Sequence, residues 1–319
     1  MSNDLITSPK GEHDRDALTT NIAGIRNLAF KPMEYSARVT RNSPAAIVIM
    51  IDQSGSMATA YQNGICRAQT VVNIVNELLQ DLLFKCQKEN GVKNYFNIMV
   101  FGYGEKINLL WESDLKDKKW VIVQDLKDNI IDIHRDEAER ITPFGVKKYI
   151  KERYKWISKN STGKSTKMKE AFKYCQSALE EWTLINEDSF PPMVFNITDG
   201  KPTDIGNDFD LWLSTCKSLT STGTKDGNTL LFNILLTPGN ELIMPTVTQS
   251  ETIVDTYYRA MLLGSSELPV AMRPIAARVF ENQKLLNEMT RCLIINSTPS
   301  SILGMLNIGT NTIINNVRE

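Results

Sequence analysis

Residues 46–51 read AIVIMI, six apolar side chains in succession with no polar residue among them, closed by Asp52. A strand with one face in water alternates apolar and polar residues, so an unbroken run marks a strand covered on both faces, as in a parallel sheet. Similar runs stand at 95–101 (YFNIMVF), 193–198 (MVFNIT), 229–237 (TLLFNILLT) and 291–296 (RCLIIN). The stretches between them carry a different period. Ile65, Ala68, Val72, Val75, Leu79 and Leu82 recur every three or four residues while Arg67, Asn73, Asn76 and Gln80 fall on other faces, which predicts a sheet-packing helix with Gly91 as its stop. Strands alternating with helices predict the α/β class: a doubly wound, Rossmann-like fold with a central, mostly parallel sheet and helices on both faces. KINLLW at 106–111, joined to 95–101 by the turn-prone GYGE, predicts one antiparallel edge strand.

The organisation follows from where this alternation starts and stops. Residues 1–39 are polar without a clear period and read as an N-terminal arm with one lead-in strand. The main domain is expected over 40–310, with a C-terminal extension from about 240 that includes a short helix through Met305. A segment at about 112–161 breaks the pattern: it is rich in Lys, Asp and Glu, holds WVIVQDL at 120–126, and carries KKYIKERYKW at 147–156, read as a basic helical run. It reads as an insertion whose charges form a solvated face; the sharper reading is a lid or docking surface.

Composition narrows the function classes. With 42% hydrophobic and 23% charged residues, the 319-residue chain has the balance of a globular protein. Its 36 Lys and Arg against 37 Asp and Glu point away from nucleic acid and anionic membranes as partners of the whole chain. The first 30 residues lack the pattern of a signal peptide, and no apolar run nears the roughly 20 residues that span a bilayer, so a cytoplasmic location is expected. Cys66, Cys86, Cys175, Cys216 and Cys292 are scattered without a CxxC and read as buried small hydrophobes in a reducing compartment. His13 and His134 are too few for a histidine-rich zinc site. Met50, Met99 and Met193 fall in the strand runs and read as core filler.

Chemistry gathers after the first strand. In DQSGSM, residues 52–57, Asp52, Ser54 and Ser56 set three oxygen-bearing side chains at alternate positions, which suits a hard cation. Taken alone, the triplet is better explained by Ser56 capping the next helix. Two more oxygen donors fall where strand-to-helix loops are expected: Thr166 in TGKSTKMKEAF (162–172) and Asp199 in NITDGKPTD (196–204). Ligands of doubly wound sheets collect at the carboxyl ends of the strands, so these loops are expected to converge. Gly163-Lys164-Ser165-Thr166 also matches the end of a P-loop, yet Ser158 stands where the first glycine of that motif is required. Asp204, Asp208 and Asp210 lack calcium-loop spacing, and Asp208 or a neighbour is expected to cap the helix around DLWLSTCKSL.

With these loops in view the sequence resembles the von Willebrand factor A family. Asp52-Gln53-Ser54-Gly55-Ser56 matches its metal-ion-dependent adhesion motif, Thr166 its second loop, and Asp199-Gly200 its third. The resemblance implies Mg²⁺, or Mn²⁺, held by Ser54, Ser56 and Thr166, with Asp52 and Asp199 acting largely through water. It implies a protein partner that donates an Asp or Glu to the ion, and no catalysis. GSSELP (264–269), CLIIN and IGT (308–310) are similar to cytosolic bacterial members linked to tellurite-resistance or stress gene clusters, which often accompany a protein kinase and a PP2C-type phosphatase. That similarity implies a scaffold or adaptor in signalling, stress response or defence. An adaptor subunit of an AAA+ ATPase machine uses the same motif, and a Mg²⁺-dependent phosphoryl-transfer enzyme is the remaining alternative. Within GSSELP, Ser266 reads as a helix cap with Pro269 in the first turn.

Overall fold

The strand foretold by AIVIMI is buried along its whole length, and the rest of the fold is layered on its two faces. The computed structural model describes residues 35–62, 64–142, 145–158, 163–253 and 255–317. In chain order the main elements are β1 (Ala45–Asp52), α1 (Arg67–Cys86), β2 (Phe96–Tyr103), β3 (Ile107–Leu109), β4 (Val121–Ile122), α2 (Val123–Asp128), β5 (Asp132–Thr142), β6 (Gly145–Lys155), α3 (Met168–Ile185), β7 (Met193–Thr198), α4 (Phe209–Ser221), β8 (Leu230–Leu235), β9 (Leu242–Ile243), α5 (Thr256–Gly264), α6 (Arg273–Val279), β10 (Leu293–Ile295) and α7 (Pro299–Asn315). Residues 1–34 of the arm and lead-in assigned to 1–39 lie outside the described residues; among those described, Val39 makes a lone parallel bridge to Val317.

The central sheet runs β9-β10-β8-β7-β1-β2-β3, with β4 also on β2. The five inner strands are mutually parallel. Short antiparallel strands close both edges, β3 and β4 on one side and β9 on the other, so the single antiparallel edge of the sequence reading is corrected. An edge strand needs one partner and as few as two paired residues, a signal too short for periodicity to expose. The two faces of β1 serve two cores. Ile47, Ile49 and Ile51 pack among residues of α1, α6 and α7. Ala46, Val48 and Met50 pack among residues of α3, α4 and α5. The chain is therefore a mixed α/β protein with a mostly parallel sheet between helices. Among the described residues no helix is long and apolar enough to cross a membrane.

Three helix expectations are corrected. Ile65 precedes α1 and is 42% exposed, and α1 ends at Cys86, before Gly91. The final helix, α7, runs to Asn315 because the apolar pattern continues past Met305. Gly309 lets it approach the sheet: a Cβ there would lie 2.8 Å from Met193 Sδ and 2.9 Å from Phe195 Cζ. Residues 147–156 do not form a helix; Gly145–Lys155 is a strand, paired with Asp132–Thr142 in an antiparallel ribbon. Lys, Glu and Arg favour helices locally, but the cross-strand partners Tyr154 with Ile133 and Glu152 with Arg135 outweigh that preference.

Two amides of α1 fasten the ribbon's end. Asn76 Oδ1 accepts from Trp156 N (2.8 Å) and Ile157 N (3.2 Å), and its Nδ2 donates to Ile157 O at 3.0 Å. One turn on, Gln80 Nε2 donates to Glu152 O at 2.9 Å and its Oε1 accepts from Tyr154 N at 3.1 Å. Two-stranded ribbons are marginal alone, so these bonds and the buried Trp156 hold it. Asn76→Ala orphans two enclosed backbone N–H groups and should cost about 2–3 kcal/mol in urea unfolding, with faster proteolysis inside 132–155.

Candidate functional site

β1 and β7 are parallel neighbours paired up to Ile51 with Ile197, so their carboxyl ends deliver Asp52 and Thr198 side by side. Asp52 is fully buried. Its Oδ1 accepts from Ser54 N at 2.8 Å, a local turn that bends the chain out of the strand, and its Oδ2 accepts from Thr198 Oγ1 at 2.6 Å. Ser54 Oγ lies 3.1 Å from Ser56 Oγ, which donates to Asp199 Oδ1 at 2.6 Å. The loop ahead of α3 is pinned to the first loop by Gly163 N, which donates to Gln53 O at 2.9 Å. Thr166 is fixed from the third loop: its N donates to Thr203 Oγ1 (3.1 Å) and its O accepts from Thr203 N (2.9 Å).

Asp52, Ser54, Ser56, Thr166 and Asp199 are thus brought into one cluster. Gly200 locates its centre. A Cβ built there would stand 3.6 Å from Thr166 Oγ1, 3.8 Å from Asp52 Oδ2 and 3.8 Å from Ser56 Oγ. Three oxygens from two separate chain segments, the loop after β1 and the loop ahead of α3, therefore face the small space that glycine leaves open. The donors are carboxylate and hydroxyl oxygens, the set a hard divalent cation takes. Among the described residues no group of three or more His, Cys, Asp or Glu is placed to hold a metal, so such an ion would depend on the hydroxyls to complete its shell.

Electrostatically the site is tense. Burial pushes the Asp52 carboxyl up to about 6, with the nearby Asp199 adding to the rise and hydrogen bonds from Thr198 and Ser54 opposing it. The Tyr103 and Tyr257 hydroxyls are likewise raised, first by burial and then by the charge of Asp52. A cation among these oxygens would reverse that pressure.

Four contributors escaped the sequence reading or were assigned another role. Thr198 read as a strand residue, yet it supplies the hydrogen bond to Asp52 and accepts one from Gly200 N at 3.1 Å. Gly200 was noted for its match to a motif, while its service is the space it leaves. Arg67, placed off the apolar face of the helix, pairs with Asp199 at 2.9 Å. Tyr257 comes from α5 and donates to Gly200 O at 2.7 Å; its spacing from the motif gives no local signal.

The competing motifs settle differently. The P-loop match fails on architecture as well as on Ser158: the strand before it, β6, belongs to a two-stranded ribbon outside the central sheet, and Lys164 is exposed. Asp208 caps α4 by accepting from Leu211 N at 2.9 Å, and Asp204 accepts from Glu170 N at 3.0 Å in the first turn of α3. Ser266 caps no helix: its N donates to Leu231 O and its Oγ accepts from Leu231 N, while its O accepts from Cys292 N, stitching β8 to the approach of β10.

No protein-family model matches the chain, and no curated protein matches it. Among solved structures, the crystal structure of the pilus adhesin SpaC from Lactobacillus rhamnosus GG is similar, with 13% identity and a TM-score of 0.42 over 87% of this chain and 31% of that one. The chain spans less than a third of that adhesin's length, and a likeness this slight carries no functional argument.

Thr198→Val keeps the side-chain volume but strips Asp52 Oδ2 and Gly200 N of their partner. It should lower unfolding free energy by about 2 kcal/mol at neutral pH, and the loss should shrink in an Asp52→Asn background, as a double-mutant cycle in urea would read.

Proposed function

We propose that the chain is a doubly wound domain of the von Willebrand factor A kind, in which Asp52, Ser54, Ser56, Thr166 and Asp199 hold Mg²⁺ or Mn²⁺ for cation-dependent binding of a protein partner. The observation that carries this reading is the convergence of Asp52 Oδ2, Ser56 Oγ and Thr166 Oγ1 beside Gly200. Ser54 and Ser56 are presented by the turn that Asp52 Oδ1 closes, so the carboxylate orients the hydroxyls as well as contributing charge. When bound, the cation would supply a coordination position for a partner's Asp or Glu. The chain's own residues would hold that position open: neutral hydroxyls leave the ion's charge incompletely cancelled, and the buried floor under Asp52 keeps the interaction from being screened. No bond is made or broken in this reading, so the protein is a binding module rather than an enzyme.

Calorimetric titration of the full chain with MnCl₂ and MgCl₂ tests it. Asp52→Ala should abolish the binding heat, and Thr166→Ala should weaken affinity by about tenfold or more, each with an unchanged circular dichroism spectrum. Wild-type affinity in a folded Asp52→Ala protein would sink the assignment. A partner captured from native lysate should be released by EDTA and missing in Ser54→Ala.

A further inference from the structure

Arg67 opens α1, and its side chain turns back to the site. Nη1 donates to Asp199 Oδ2 at 2.9 Å and to Ser56 O at 3.3 Å, and it also reaches Thr59 Oγ1. Asp199 uses its other oxygen to accept from Ser56 Oγ. The pair is enclosed, the Arg67 side chain 16% exposed and that of Asp199 1%. Among the described residues Arg67 is the one cation paired with a site carboxylate; Lys201, the next along the third loop, turns to Asp255 at 3.6 Å and lies over the Tyr257 ring. Arg67 Nε is buried without a partner, whereas an arginine kept for structure alone is expected to satisfy its donors. The bonds it does make are directed at Asp199 and at the loop that carries Ser56.

We infer that Arg67 is the site's built-in counter-cation, which neutralises Asp199 in the metal-free protein and by its own charge loosens the hold on a divalent ion. The inference rests on the cation reading above and adds what regulates it. Asp52 and Asp199 give the site a formal charge of −2, and Arg67 brings it to −1. A divalent ion then leaves +1, where without Arg67 it would leave zero. The residual positive charge is what an incoming carboxylate can cancel. Arg67 therefore trades grip on the ion for grip on an acidic ligand, and it spares the metal-free fold two unbalanced carboxylates in a poorly solvated space.

The test compares Arg67→Gln and Arg67→Lys with the wild-type full chain, reading thermal stability in EDTA and Mn²⁺ affinity by calorimetry. Arg67→Gln should melt at lower temperature in EDTA yet bind Mn²⁺ about tenfold more tightly, because a like charge within a few ångströms has been removed. Arg67→Lys, which keeps the charge, should stay near wild type in affinity. In an Asp199→Asn background Arg67→Gln should no longer lower the melting temperature. A purely structural arginine predicts lower stability with weaker or unchanged Mn²⁺ binding in Arg67→Gln, and that result overturns the inference. Arg67→Met, which retains the aliphatic stem, carries the same expectations if Arg67→Gln does not fold. Should the wild type itself take up no Mn²⁺, the cation reading fails and this inference with it, an outcome distinct from a wild type that binds and a variant that binds no better.

Discussion

A buried carboxylate at the end of a buried strand sets the terms for this protein. Asp52 has no exposed surface, and an ionisable group so placed must be satisfied by its neighbours or destabilise the fold. Its two oxygens are met from opposite directions: Oδ1 by the backbone of its own loop, Oδ2 by the side chain that ends the adjacent strand. The loops that follow β1 and β7 are therefore more than connections. Their course is dictated by the need to bring hydrogen-bond donors to one acid, and in doing so they bring Ser56 and Asp199 to the place where the loop ahead of α3 sets Thr166.

Beneath the site the sheet carries a buried polar line that fixes how the strands register. Tyr103 Oη donates to Asn196 Oδ1 at 2.7 Å, Asn196 Nδ2 to Asn233 Oδ1 at 2.9 Å, and Asn233 Nδ2 to Ser265 Oγ at 2.9 Å. Ser265 in turn donates to Met261 O in α5. Slipping β7 against β8 by one residue would break this chain in an apolar interior, where each orphaned amide costs roughly 1–3 kcal/mol. The same line ties the floor of the site to the helix that sends Tyr257 over Gly200, so the elements around the cluster are held by one connected network.

The ribbon of β5 and β6 shows where local pattern misleads. The segment from 147 to 156 has the composition of a helix, and read alone it would be one. Its conformation is decided by residues 132–140 opposite it, which provide apolar and oppositely charged partners in register. Asn76 and Gln80 are a second case. On the helix pattern they are polar residues away from the core, and their role as the ribbon's anchors depends on a segment roughly 75 residues later in the chain folding back onto α1. By contrast, Asp208 as the cap of α4 was legible, because a cap is a contact between residues three apart.

What the sequence determined by itself is what depends on short range. Unbroken apolar runs gave the buried parallel strands, the three- and four-residue period gave α1, and Asp52, Ser54 and Ser56 at alternate positions marked the first loop of the site. That Thr166 and Asp199 stand with them was an expectation from where ligands gather in such sheets, and the fold brings the five together. The tertiary structure alone decided which groups answer those five. Thr198 meets Asp52 across 146 residues of chain and Arg67 meets Asp199 across 132, contacts with no periodicity to announce them. They exist because β1 and β7 are neighbours in the sheet, and a sheet's neighbours are chosen by the burial of whole strands rather than by any pattern within the loops they carry.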